Sequence, residues 1–305
     1  MVNSLTAPDL PDCLKMGRRS CRLDCLSILV YSLQTLQEDH PLCHEQMTVP
    51  SILDRWRLPV EVTADLDDPA TTIARQALIR RKRFLYKLYC SFYRDMAARL
   101  QGLPDGPIIE LGSGAGCLKE ILPRVYSSDL FVVPGLDVVL SAQRLPFKDG
   151  SVGGLLMLNV FHHLPQPIRF LQEAERCLIK GGRLVMIEPY NTPFARFIYQ
   201  RFHHECFDPQ AGWEHQGRGP LSGANGALPW ILFDRDAREY QRQFPRLPLR
   251  TVHLHTPFAY LLSGGLSFRS FLPGHCFGAV RRMEQWLSPL RRQLAMFATI
   301  CLERT

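Results

Sequence analysis

Short apolar runs alternate with helical patterns through the middle of the 305-residue chain. The runs are continuous rather than alternating, which is typical of strands buried on both faces of a parallel sheet. We predict strands at 107–111, 136–140, 154–158 and 183–188. Helices are expected over 117–125 and 167–179, and Lys180-Gly181-Gly182 marks the end of the second. The pattern therefore predicts an α/β fold with helices on both faces of a parallel sheet.

The flanks of this block are less regular. Residues 1–69 mix proline, cysteine and charge without a sustained period, and we expect an N-terminal extension that is irregular or poorly ordered. From 71 to 100, apolar residues recur every three or four positions, which predicts a helix that either packs on the sheet or covers a ligand, with packing the simpler interpretation.

The C-terminal part also carries recognisable patterns. After Pro189 we expect a helix over 194–204, helical residues at 280–290 and two strands at 251–255 and 294–302. Between them, 212–229 is rich in glycine, proline, asparagine and serine and is flanked by Trp213 and Trp230. This composition predicts an ordered loop or flap rather than a linker.

Charge and cysteine content narrow the classes of function. The net charge is +7, and basic residues cluster, as in Arg80-Arg81-Lys82-Arg83. We interpret the clusters as solvated helix faces, with peripheral contact to an anionic membrane as the alternative. Nucleic acid is disfavoured because no recognised binding module accompanies the charge. The ten cysteines stand singly, which favours reduced thiols and a cytoplasmic location, and their spacing predicts no metal site.

The stretch Glu110-Leu111-Gly112-Ser113-Gly114-Ala115-Gly116 joins the first predicted strand to a helical pattern. Glycine allows the backbone to turn tightly and to approach a ligand, and such a turn points free N–H groups into the crevice. A dinucleotide fingerprint would need glycine at position 117, where the chain has Cys117. The spacing therefore argues against a nicotinamide cofactor.

This stretch resembles the first motif of class I S-adenosylmethionine-dependent methyltransferases. Further resemblances follow in the family's order at 142–151, which contains Leu145-Pro146-Phe147, at 159–164 and at 173–182. Together they are similar to the methyltransferase type 11 group. The resemblance implies a Rossmann-like fold with a mostly parallel seven-stranded sheet, a methyltransferase domain over 70–305, acceptor-binding insertions at about 190–293, and S-adenosylmethionine as cofactor.

The resemblance also implies cofactor-binding residues. Glu110 would anchor the loop or the cofactor's amino group, and the turn itself would pass under the methionine part. Asp129 is the best match to the acid that binds both ribose hydroxyls, with Asp137 as its rival. The family often has aspartate where this chain has Ser141, so the adenine contact is left to Ser141, Ala142, Gln143 or the backbone. The implied set is Glu110, Gly112, Ser113, Gly114, Gly116, Asp129, Ser141, Ala142, Gln143 and Asn159.

Methyl transfer from a sulfonium is an in-line displacement, for which the protein supplies alignment and removes a proton. Histidine is the natural base for an oxygen or carbon acceptor. The candidates are His162, after the fourth strand, and His203 and His204, which alternatively serve only to end a helix; we expect the neighbouring His163 to be structural.

The acceptor is expected to be a small molecule. The fourth strand lacks the Asn/Asp-Pro-Pro-aromatic motif of enzymes that methylate exocyclic amines in DNA. Aromatic residues in the C-terminal part suit an apolar or aromatic acceptor, unless they belong to the core: Tyr190, Phe194, Trp213, Trp230, Phe258 and Tyr260. The alternative function is a protein that binds the cofactor or a partner without turnover.

Overall fold

A seven-stranded sheet with the strand order β3-β2-β1-β4-β5-β7-β6 forms the centre of the fold. The computed structural model describes residues 56–58, 67–114, 116–203, 205–214, 219 and 223–305. The strands are β1 (Ile108–Leu111), β2 (Val125–Asp129), β3 (Val138–Val139), β4 (Val152–Leu158), β5 (Leu178–Pro189), β6 (Leu249–His255) and β7 (Phe297–Glu303). Each strand predicted from an apolar run is present.

The sheet is mixed rather than parallel throughout. Neighbouring strands among β1 to β5 pair in parallel, whereas β7 runs antiparallel to both β5 and β6. The α/β fold is thus confirmed, with the correction that one strand reverses direction. The chain steps from β1 outward to β3 and then returns to β4 on the other side of β1, which creates a switch point where such sheets bind ligands at the carboxyl ends of their strands.

Helices surround the sheet. They are α1 (Pro69–Arg81), α2 (Arg83–Ala98), α3 (Pro167–Cys177), α4 (Pro193–Phe202), α5 (Leu228–Trp230, continued by a π-helical turn Ile231–Arg235), α6 (Ala237–Gln243), α7 (Ala259–Ser263), α8 (Phe277–Trp286) and α9 (Arg291–Leu294). Every residue of β4 is buried, so both faces of the sheet are covered there. Helix α2 buries Leu85, Leu88, Phe92 and Met96, and the Phe92 ring contacts Phe297 of β7.

Three predicted helices differ in their bounds. The helix expected over 71–100 is broken at Lys82, whose backbone is not helical and whose side chain is buried. Between β1 and β2 the helix expected over 117–125 is reduced to the single turn Leu118–Glu120, because Val125 already pairs with Ile108. Helix α3 ends at Cys177, before the glycine pair, because Leu178 pairs with Val152 and begins β5.

The expected N-terminal extension lies largely outside the described residues. Within its described part, Arg57 forms a β-bridge with Phe268, and the Asp68 side chain caps α1 by accepting a hydrogen bond from the Ala70 N–H. The boundary at residue 69 stays a prediction. The 212–229 loop is likewise described only in part.

Two further expectations concern cysteines and membranes. Cys90, Cys117, Cys177, Cys276 and Cys301 are free thiols. Cys206 is disulfide-bonded, so the expectation of reduced cysteines is wrong for that residue. Among the described residues, no helix combines the length and apolarity needed to cross a bilayer.

Candidate cofactor and acceptor site

The turn after β1 requires glycine at two positions. Gly112 has a φ of 70°, and a Cβ there would lie 2.4 Å from the Val160 side chain. A Cβ on Gly116 would lie 1.9 Å from the hydroxyl of Tyr93 on α2. Both distances are far inside van der Waals contact, so the turn is shaped by the helix above it and the loop after β4.

Backbone hydrogen bonds join this turn to the end of β2. The Ser113 N–H donates to the Ser128 carbonyl over 2.8 Å, and the Gly114 N–H donates to Asp129 Oδ2 over 2.9 Å. Asp129 Oδ1 accepts a second bond, from the Phe131 N–H at 3.1 Å. The carboxylate is therefore fixed beside the glycine turn.

Asp137, the rival acid, has a different environment. Its carboxylate accepts hydrogen bonds from the Ser127 backbone and hydroxyl and from Lys119 Nζ. The Lys119 and Ser127 hydrogen bonds lower the pKa of Asp137. Asp129 lines the main cavity and Asp137 does not.

That cavity has a volume of about 850 Å³ and lies at the switch point. One end is lined by eight of the residues implied from the sequence: Gly112, Gly114, Gly116, Asp129, Ser141, Ala142, Gln143 and Asn159. Glu110 and Ser113 lie behind the turn instead, where both are buried.

Two polar atoms in this end of the cavity are buried without a hydrogen-bond partner among the described residues, Gln143 Nε2 and Asn159 Oδ1. Asn159 also has a positive φ of 55°, a conformation that is uncommon outside glycine. An unsatisfied buried polar atom costs about 1–3 kcal/mol. Such atoms on a cavity wall are suited to a polar ligand.

Glu110 supports the turn from inside the core. Its side chain is 2% exposed and is bonded to Ser113 and Tyr93. Burial raises the pKa of Glu110 to about 7, because desolvation outweighs these two hydrogen bonds. The carboxyl group therefore keeps its proton to a higher pH than an exposed glutamate does.

A histidine pair and two carboxylates form the adjoining wall. His162 Nδ1 lies 2.5 Å from Glu188 Oε2, and His162 Nε2 lies 3.3 Å from Glu205 Oε2. Burial alone would lower the pKa of His162, but the two carboxylates raise it to about 10. Both ring nitrogens of His162 therefore face carboxylate oxygens, and while both carry protons the ring cannot take a proton from an acceptor.

The other histidines differ in their partners. His163 donates from Nδ1 to the Gly223 carbonyl over 2.9 Å, and burial together with the charge of His162 lowers its pKa to about 4. His203 Nδ1 accepts from the Glu205 N–H at 3.3 Å. His162, His163, His203 and Glu205 all line the cavity, while His204 lies outside the described residues.

Sequence reasoning did not find the two carboxylates that organise this wall. Glu188 is the last residue but one of β5, and its Oε1 accepts hydrogen bonds from the backbone N–H groups of Val160 and Phe161 at 2.9 and 2.8 Å. A glutamate at the carboxyl end of a buried strand was an available signal, whereas Glu205 had none. Only the fold brings Glu205 to the histidine pair.

Aromatic side chains line the far end of the cavity, and most of them are not the ones predicted from the sequence. Its walls include Tyr199, Phe202, Tyr260, Phe268, Phe271 and Phe297, whereas Phe131 lies beside Asp129 at the cofactor end. Of the six aromatics proposed from sequence, only Tyr260 is on the cavity wall. Tyr190 and Trp213 instead donate hydrogen bonds to Asp234 and Asp236.

This sheet order, with a glycine turn and an acid meeting over a cavity at the switch point, defines a Rossmann-like ligand-binding protein. Residues 109–186 match the family described as Methyltransferase domain. The match falls on the segment in which the sequence motifs resemble class I S-adenosylmethionine-dependent methyltransferases of the type 11 group, so the resemblance is confirmed for that segment.

Curated relatives share part of the chain. An uncharacterized 37.1 kDa protein in transposon TN4556 of Streptomyces fradiae is 33% identical over 87 residues, 28% of this chain and 24% of that protein. Trans-aconitate 2-methyltransferase of Rhizobium meliloti (strain 1021) is 33% identical over 113 residues, 32% of this chain and 44% of that protein. The chain thus spans less than half the length of either relative.

Solved structures of similar architecture include a possible histamine N-methyltransferase from Thermotoga maritima, at 17% identity and a TM-score of 0.49. That match covers 78% of this chain and 97% of the other. Geranyl diphosphate C-methyltransferase from Streptomyces coelicolor A3(2) matches at 16% identity and a TM-score of 0.42, covering 82% of this chain and 88% of the other.

Proposed function

We propose that the protein transfers the methyl group of S-adenosylmethionine to the oxygen or carbon of a small-molecule acceptor by in-line displacement. The observation that carries the proposal is the continuity of the cavity. A single space of about 850 Å³ runs from the glycine turn and Asp129 to the histidine wall and the aromatic residues. Cofactor and acceptor can therefore meet without crossing solvent.

The cofactor end suits the chemistry of S-adenosylmethionine. The carboxylate of Asp129 has the two oxygens needed for a pair of ribose hydroxyls. Gln143 Nε2, beside Ser141 and Ala142, has no hydrogen-bond partner within the described part of the chain and can donate to the adenine ring. Asn159 Oδ1, which also lacks a partner there, can accept from a cationic amino group. Gly112, Gly114 and Gly116 would underlie the methionine part, with Glu110 and Ser113 holding their turn from behind.

When bound, S-adenosylmethionine supplies an activated methyl carbon, so the chain's own task is alignment, exclusion of water and proton removal. Because both nitrogens of His162 are engaged, we assign it the role of positioning Glu205. His203 is kept as the candidate base because it lines the cavity, and His204 is kept from the sequence alone.

The acceptor end favours an apolar or aromatic small molecule, because aromatic side chains form most of its wall. The curated relative that is named for a substrate is named for a small molecule, trans-aconitate. Membrane contact through the basic run at 80–83 is weakened as a proposal because Lys82 is buried. A cytoplasmic location stays a prediction from the cysteine pattern, supported by the five free thiols and weakened by Cys206.

The test is an acceptor panel. The full chain is incubated with S-adenosylmethionine and phenols, quinones, prenyl compounds or unsaturated carboxylic acids, and products are read by mass spectrometry. We expect acceptor-dependent formation of S-adenosylhomocysteine with a product heavier by about 14 Da, one methylene. Cofactor binding without S-adenosylhomocysteine formation for any acceptor would favour the non-catalytic alternative.

A further inference from the structure

The rings of His162 and His163, with centroids 4.2 Å apart and planes tilted by 38°, direct both Nε2 atoms toward one carboxylate, that of Glu205. The Nε2–carboxylate distances are 3.3 Å for His162 and 3.8 Å for His163, and one ligand atom from each of the three residues can be chosen within 4.8 Å of the others. A tetrahedral ion with bonds of about 2.0–2.1 Å places its ligand atoms about 3.3 Å apart. The first distance already equals that spacing, and the second requires a shift of about half an ångström. The two imidazole ligand atoms lie within 4.8 Å of one another, so they must approach by up to about 1.5 Å. The ion takes the place of the proton on His162 Nε2, which is released on binding.

Each ring is also held by its other nitrogen. His162 Nδ1 contacts Glu188 at 2.5 Å, and His163 Nδ1 contacts the Gly223 carbonyl at 2.9 Å. A carboxylate or a backbone carbonyl on the second nitrogen is the usual arrangement around metal-binding histidines, because it fixes the ring and keeps Nε2 as the ligand atom. The outer contacts of a metal site are thus present on both histidines.

The ligand types select among ions. Two imidazoles and one carboxylate suit zinc and other divalent first-row transition metals, whereas magnesium and calcium prefer oxygen ligands throughout. We propose that His162, His163 and Glu205 bind one divalent transition-metal ion, zinc in the first instance, in the wall of the cofactor cavity. The sequence predicted no such site, because Glu205 lies 42 residues from His163 and shares no motif with it.

All three residues line the cavity, so an ion held by them borders the space between the cofactor end and the aromatic end. Three protein ligands leave a tetrahedral position for an oxygen atom. An acceptor with an anionic oxygen, such as a carboxylate, enolate or phosphate ester, can occupy that position. This assignment of the acceptor class rests on the proposed function.

The test measures metal directly on the full chain. Protein stripped with chelator is titrated with Zn²⁺ by calorimetry and with Co²⁺ by visible absorption, in which tetrahedral coordination gives intense d–d bands. The variants are Glu205→Gln and His163→Asn, with His253→Gln as the matched control, since His253 lies on β6 away from the cavity. Circular dichroism and thermal melting establish that each variant is folded.

We expect the parent chain to bind one Zn²⁺ with a Kd below about 1 µM, and millimolar Mg²⁺ not to compete. Folded Glu205→Gln and His163→Asn should each bind Zn²⁺ at least about tenfold more weakly, whereas His253→Gln should bind it as the parent does. Zinc binding that is absent from the parent chain, or equal in the parent and both site variants, would overturn the proposal and identify the cluster as an ion-pair network. S-adenosylmethionine binding is measured separately, so a failure of the proposed function stays distinguishable from a failure of the metal site.

Discussion

The glycine turn is shaped at the scale of single residues by one tyrosine. Tyr93 of α2 places its hydroxyl against Gly116 and bonds to Glu110, so it fills the space that a side chain at 116 would need. The turn and the buried carboxyl group are therefore coupled through a residue that lies 15 positions before β1. Two predictions belong to this contact.

Gly116→Ala should destabilise the protein by about 1–3 kcal/mol, because the new methyl group would overlap the Tyr93 hydroxyl. Adding Tyr93→Phe removes that oxygen, so the double variant should be less destabilised than the sum of the two single changes, by at least about 0.5 kcal/mol. Gly278→Ala on α8, with nothing within 4 Å of its Cβ, is the neutral control. Chemical denaturation measures all four. Strict additivity would show that the contact is not the cause.

Glu110 predicts a pH dependence of stability. Its pKa is about 7 in the folded protein against 4.5 ordinarily, so the folded state binds more proton between these values. The contribution of Glu110 to the free energy of unfolding is fully present below pH 4.5. It decreases as the pH rises through 7, by up to about 3 kcal/mol in total. Glu110→Gln should lack this fall, so the stability of the variant relative to the parent should rise between pH 5 and pH 8. A difference that does not change with pH would contradict the assignment.

At the scale of elements, the break between α1 and α2 positions part of the cavity wall. Lys82 stands at the break and donates from Nζ to the carbonyls of Gly265 and Phe268, at 2.6 Å for the latter. Burial lowers the pKa of Lys82 to about 8. Lys82, which the sequence pattern assigns to a solvated basic run, thus links the helix pair α1 and α2 to loop 264–268 by hydrogen bonds. That loop lines the cavity.

Lys82→Met should therefore lower stability by about 2 kcal/mol, because two carbonyls lose their donor. Cleavage within 264–268 by a nonspecific protease should also accelerate. Lys87→Met, on the exposed side of α2 with a single bond to the Gly274 carbonyl, should change stability by less than about 0.5 kcal/mol. Equal effects of the two substitutions would refute the role of Lys82.

Apolar runs and glycine spacing were sufficient to predict the central strands, because strands buried on both faces leave little choice of residue type. The same patterns could not show where helices end. Cys117 to Val125 has helical spacing but too few residues to leave a helix once Val125 joins β2. The break at Lys82 likewise depends on a loop 183 residues away.

The candidate site likewise has a part that the sequence could predict and a part that it could not. Asp129 and the glycines could be placed from local order, because they stand at strand ends. The acceptor end could not, because Glu205 and most of the aromatic wall come from segments with no fixed spacing to the motifs. Contacts across long sequence separations, such as Tyr93 with Glu110, carry no periodic signal.

At the scale of the whole molecule, we propose that one cavity holds both the cofactor and the acceptor. The amino acids around it come from the helix pair before β1, from the loops after β1, β2, β3 and β4, from α4 and the residues that follow it, and from the segment between β6 and β7 with the start of β7. If the cofactor lies at the glycine end, Asp129 must contact it and Asp137, bonded to Lys119 and Ser127, must not.

Calorimetric titration of S-adenosylmethionine into the parent chain, Asp129→Ala and Asp137→Ala tests this claim most directly. Loss of hydrogen bonds to a charged group costs about 1.5–3 kcal/mol, so Asp129→Ala should weaken binding at least tenfold, while Asp137→Ala should stay within about threefold of the parent. No binding by the parent chain, or equal affinity in Asp129→Ala and the parent, would contradict the account.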